Sequence, residues 1–224
     1  MSMTVSEAME WLKRNSTKAT RDGMARYGLP SDRAFGVPMN KIQELAKELP
    51  RDHRLAAELW STGVYEARLL AALVDEVDKV TPGQMDRWCR DFDNWGVCDT
   101  VCFKLFDQTP HAFKKVQQWH DRKEEFVKRG AFALLACLAL HNESADNEAF
   151  MRCLPLIEKA AIDDRNFVKK SVSWALRSIG RRNAELKKAV VALAKKLANS
   201  PEPAAKWHSK DVISDLKKPA PKGK

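Results

Sequence analysis

No apolar stretch of the chain approaches the roughly 18–20 residues that a membrane span requires. The longest, Gly130 to Leu140, has the length of a buried helix. The N-terminal Met1-Ser2-Met3-Thr4 carries neither a basic nor an apolar region, so no signal peptide is expected. Glycine is scarce, nine residues in 224, and there is no P-loop, Gly-x-Gly-x-x-Gly or Ser-His-Asp motif. A nucleotide cradle is therefore not expected. Cysteines are few and odd in number: Cys89, Cys98, Cys102, Cys137 and Cys153. All sit within helical patterns, which suits reduced thiols in a cytoplasm better than a disulfide framework. Cys98 and Cys102 are one helical turn apart, but no second Cys or His pair completes a tetrahedral set, so neither metal nor cofactor is expected. Continuous β-branched alternation is also missing, which argues against a sheet.

Positive charge is present in excess. Lys and Arg number 39 against 30 Asp and Glu, a formal net charge of +9. That balance favours an anionic partner, whether nucleic acid, an acidic protein or a membrane surface, without choosing among them. With no membrane segment and nothing that demands a dimer, a monomer is the expectation.

Helical periodicity dominates, with helices expected at about 4–14, 17–27, 38–49, 53–62, 64–78, 82–92, 95–107, 110–118, 122–141, 146–161, 164–181 and 184–198, and a short one near 209–216. Pro38, Pro82 and Pro110 suit first-turn positions, and Thr81 and Thr109 suit N-caps. Connections are short, and segment 38–198 reads as successive helix pairs of roughly 30–45 residues, the period of HEAT-like solenoids. The expectation is one all-α HEAT-like domain over 1–200 and a basic, partly disordered tail over 201–224. An irregular helical bundle is the alternative.

Two tryptophans stand out. Around Trp174, residues Val168, Val172, Ala175 and Ile179 share the stripe that should face the core, and Trp174 falls roughly 130° away from it. Its neighbours there are Phe167, Lys170, Arg177 and Arg181. Segment 169–188 holds seven basic residues and one acid, so this helix is a candidate to lie against phosphates. Equally, Trp174 fills a gap against an adjacent helix. Near the start of an earlier helix, Trp95 and Asp99 stack at i and i+4 along the edge of the packing side formed by Cys98, Val101, Cys102 and Leu105. Asp99 is then partly desolvated yet reachable, or paired with a Lys or Arg of a neighbouring repeat. Arg129, at the polar edge of the 130–140 run, suits a bidentate phosphate contact or simple snorkelling. Trp11, Trp60, Trp88, Trp119 and Trp207 are assigned to core or groove.

Phe35-Gly36-Val37-Pro38, Leu59 through Arg68, Asp93-Asn94-Trp95 through Asp99, and Val168 through Leu176 together carry a likeness. From about residue 20 to 200, the chain resembles the AlkD-like DNA alkylation repair proteins, DNA glycosylases built from HEAT-like repeats. The resemblance implies a right-handed solenoid of antiparallel helix pairs with a concave basic groove. It matches Trp95 and Trp174 to the family's active-site tryptophans and Asp99 to its catalytic carboxylate. Arg129, with Lys128 as the rival match, corresponds to an arginine contacting DNA beside the lesion. Some members of the wider superfamily lack the acid or an aromatic and are inactive, whereas this sequence keeps all four residue types. Gly96 departs from the polar residue expected at its position.

The chemistry needs little. Glycosidic hydrolysis normally takes two carboxyl groups. A purine alkylated at N3 or N7 is cationic and leaves as a neutral base, so one carboxylate suffices, stabilising the oxocarbenium-like sugar and positioning water. Indole faces attract cations by roughly 0.5–2 kcal/mol each, more as charge develops on the sugar. The expected activity is excision of 3-methyladenine and 7-methylguanine from double-stranded DNA, with limited reading of the base. The competing readings are a non-catalytic HEAT-like scaffold and a protein that binds nucleic-acid structures without cutting a bond.

Overall fold

A computed structural model describes residues 3–219, and among them only helices and turns occur. Two units form, Met1–Thr109 and Pro110–Lys224, each with its own core.

In the first unit, α1 (Val5–Arg14) starts on a capping box in which Thr4 and Glu7 exchange backbone hydrogen bonds. Next come α2 (Lys18–Met24), α3 (Met39–Glu48), α4 (His53–Ser61), α5 (Tyr65–Val74), α6 (Pro82–Arg90) and α7 (Trp95–Lys104). Helix α5 packs against α3, α4 and α7. The expected helix over 17–27 gives way to a 3-10 turn at Ala25, which Gly28 ends with φ +65°. Thr81 caps α6 as expected, with its side chain accepting from the Gln84 amide. Trp60 on α4 and Trp88 on α6 are core residues, their rings parallel and 4.0 Å apart. Asp75, fully buried where α5 ends, ties three helices together: its carboxyl oxygens contact His53 Nδ1 at 2.6 Å and accept from Gln84 Nε2 at 2.6 Å.

The second unit holds α8 (Ala112–Trp119), α9 (Glu125–His141), α10 (Asn147–Met151), α11 (Leu154–Ala160), α12 (Asn166–Gly180), α13 (Ala184–Ala198) and α14 (Pro203–Leu216). Contacts Lys128–Asp163 and Lys169–Trp207, followed by Arg181–Asp215, set α9, α12 and α14 side by side and parallel. The intervening helices return antiparallel, and α13 packs on both α12 and α14. The helix expected over 146–161 is two, because Pro155 has no N–H for the residue 151 carbonyl and its ring crowds that turn. Thr109 does not cap α8; its hydroxyl donates to the Phe106 carbonyl, and α8 begins later. The short helix expected near 209–216 begins earlier. Residues 203–216 form α14, held by the buried Ala204, Ala205, Val212 and Leu216; residues 220–224 lie outside those described.

His208 on α14 is fully buried, and neither ring nitrogen finds a hydrogen-bond partner among the described residues. Burial pushes its pKa down from 6.5 to about 4, against the pull of Asp211 and with help from Lys169. The folded pKa lies below the unfolded one, so the unfolded chain takes the proton first. Stability is full above pH 6.5 and is lost as pH falls toward about 4, by on the order of 3 kcal/mol. Urea unfolding across that window should show this loss in the wild type, and His208→Leu should remove most of it.

Candidate functional site

Helix α7 carries the first pair of residues. Asn94, buried in extended conformation, accepts from the Val97 amide and starts the helix at Trp95. Trp95 and Asp99 follow one turn apart, both half-buried, above the buried Val97, Cys98, Val101 and Cys102. The indole Nε1 of Trp95 donates to the Tyr27 carbonyl at 2.7 Å, which fixes the ring against the segment after α2. Tyr65, to which the sequence reading gave no role, lies over the same turn. A Cβ on Gly96 would stand 2.5 Å from the Tyr65 hydroxyl and 3.0 Å from Leu29. A side chain there would have to displace the Tyr65 hydroxyl, which favours glycine over the expected polar residue. Burial, then the charges of Glu66 and Asp99, push the Tyr65 phenol up to about 12. It remains protonated beside the candidate carboxylate across the physiological range.

The support around this turn is built from α4 and α5. Glu66 on α5 is fully buried, and its carboxyl oxygens accept from the amides of Phe35, Gly36 and Val37 at 3.0, 2.7 and 3.1 Å. Gly36 has φ +88°, and a Cβ there would meet Thr17 O and Arg21 Cβ at 2.7 Å, so no other residue fits this loop. The Tyr65 amide donates to Arg33 O at 2.8 Å. Arg68, one turn further along α5, lies over the Trp60 ring at 4.9 Å and donates to the Asp91 carbonyl at 3.1 Å. Trp60 Nε1 donates to the Asp91 carboxylate at 2.8 Å. These contacts hold the turn from which α7 departs.

Helix α12 carries the second set. Val168, Val172, Ala175 and Ile179 are fully buried, the stripe expected from the periodicity, and Trp174 is half-buried away from it. Lys170 is exposed. The other basic residues have protein partners that the sequence reading did not foresee. Lys128 pairs with Asp163 at 3.1 Å. Arg165 bonds the same carboxylate and, as the largest cause, holds it down to about 2. Arg129 is buried, its guanidinium donating to Phe167 O at 2.7 Å. Arg177 stands 3.6 Å from Asp211, and Arg181 contacts Asp215 at 2.8 Å, both acids belonging to α14. Ser173 also donates to Asp211. Asp211 and Asp215 sit one turn apart on α14, facing Arg177 and Arg181 one turn apart on α12; that spacing is the only trace the pairing leaves in sequence.

Among the described residues no cluster of three His, Cys, Asp or Glu side chains is placed to hold a metal ion. Among the described residues, no helix is long and apolar enough to cross a membrane.

A helical-repeat protein with a tryptophan and a carboxylate on successive turns is the class these features define. Residues 8–205 match the family described as DNA alkylation repair enzyme, and the chain belongs to it. A solved structure from a new family of proteins related to the HEAT-like repeat DNA glycosylases, with affinity for branched DNA structures, has a TM-score of 0.78. The match covers 95% of each chain at 16% sequence identity, which establishes the HEAT-like fold. No curated protein is significantly similar to the chain.

Proposed function

We propose that this protein is a monofunctional DNA glycosylase that releases cationic alkylated purines, 3-methyladenine and 7-methylguanine, from double-stranded DNA. The observation that carries the proposal is Trp95 and Asp99 half-buried on successive turns of α7, in a chain of the DNA alkylation repair family. Asp99 stabilises positive charge developing on the deoxyribose and orients water, and Trp95 offers it an indole face. Trp174 is the second tryptophan of the reading. Tyr65, protonated and adjacent, keeps a neutral hydroxyl rather than a second anion beside Asp99. Phosphate contact falls first to the exposed Lys170. Arg177 and Arg181 would exchange carboxylate for phosphate, and Lys128 and Arg129 hold the start of α12 in place. The protein would act as a cytoplasmic monomer, without cofactor, in base excision repair.

The relative with affinity for branched DNA supports a second reading, binding without bond cleavage. Incubation with N-methylated duplex DNA decides between them. Free 3-methyladenine, detected by chromatography, is expected; salt-dependent binding with no free base would favour the second reading.

A further inference from the structure

Helix α14 sorts its side chains by charge. At 100° per residue, Ala204, Ala205, His208, Ser209, Val212 and Leu216 turn inward and are buried. Asp211 and Asp215 turn to the arginines of α12. Within the helix the remaining arc holds Lys206, Lys210 and Trp207, all exposed, with no acid of the helix among them. Trp207 is 38% exposed, unusual for an indole, and the Lys169 ammonium of α12 lies 5.1 Å from its ring centroid. Its ring is held edge-on against His208, the centroids 5.3 Å apart. An aromatic face steadied from below, with Lys169 against the ring and the exposed Lys206 and Lys210 within one turn on the helix, complements a polyanion that carries flat, exposed rings.

We propose that the exposed face of α14 binds an unpaired nucleotide strand, with a base stacked on Trp207 and its phosphates on Lys169, Lys206 and Lys210. Duplex DNA fits less well, because its bases are already stacked on one another and offer the indole no free face. Base–aromatic stacking is sequence-tolerant, since every base has a π face, and it is stronger than the solvent-side cation–π contact it would replace. Lys169 loses the ring and gains a phosphate. This contact requires neither Asp99 nor bond cleavage and stands apart from the glycosylase reading. It would let the protein hold DNA where single and double strands meet.

The test is fluorescence anisotropy with a short oligothymidylate and, separately, a blunt unmodified duplex. Trp207→Ala should weaken the single strand about tenfold and the duplex less than about twofold, while Trp207→Phe keeps most of the affinity. Lys206→Gln and Lys210→Gln, both at exposed positions, should each lower the salt slope for the single strand by about 0.7. Equal losses on both DNAs from Trp207→Ala would overturn the proposal in favour of a duplex contact. Unchanged single-strand affinity and slope in the lysine variants would overturn it in favour of a protein partner. Base release plays no part in the readout, so failure of the glycosylase reading leaves this result interpretable.

Discussion

Asp99→Asn should reduce release of 3-methyladenine by about 10²–10³-fold while leaving the protein folded and bound to DNA. The amide keeps the size of the carboxyl group and removes the charge. In the proposed mechanism the leaving base needs no proton, so the whole protein contribution at the sugar is electrostatic. Asp99 then has no partner acid to share the loss. Binding should persist or strengthen, because a carboxylate near a phosphate backbone opposes association. Single-turnover excision measured beside anisotropy separates the two effects. A folded Asp99→Asn protein that excises normally would remove Asp99 from the chemistry. One that no longer binds DNA would make it a structural residue.

The second large effect belongs to Glu66. Glu66→Ala leaves three amides without acceptors, those of the buried Gly36 and Val37 and of the half-buried Phe35. At about 1–3 kcal/mol for each unsatisfied group, less what water recovers on entering the space, a loss of about 3–5 kcal/mol is expected. Glu66→Gln should cost much less. One carbonyl oxygen still serves Gly36 and Val37, which share Oε1, and only Phe35 is orphaned. Urea denaturation of both variants checks the order; equal stabilities for Ala and Gln would mean that the carboxyl group does not organise the loop. The loop lies in the segment that follows Tyr27, so Glu66→Ala should also loosen Trp95, whose indole is anchored on the Tyr27 carbonyl.

Features of one helix were legible in sequence, and features shared between distant helices were not. The buried stripe of α12 and the placement of Trp174 off it follow from a 3.6-residue period, as does the stacking of Trp95 and Asp99. Thr81 was readable as a cap for the same local reason. The partners of Arg177 and Arg181 lie 34 residues downstream, in the short helix expected near 209–216. Nothing in α12 alone signals that its cations are neutralised. Glu66 received no role in the sequence, since the amides it serves lie about 30 positions earlier. Trp207 was assigned to core or groove because Lys, Trp and His in succession do not reveal which of the three faces inward.

The clasp around Trp60 bears on how the first unit can move. Arg68 grips both the indole face and the carbonyl of Asp91, while the same indole holds the Asp91 carboxylate and lies flat on Trp88. The turn that launches α7 is bolted at two points to a stiff pillar of stacked rings. Beyond that anchor α7 packs directly on α5, so Trp95 and Asp99 are held against the same helices that grip Asp91. Residues set in place before the substrate arrives lose little freedom when it docks, and more of the contact energy remains for the reacting sugar.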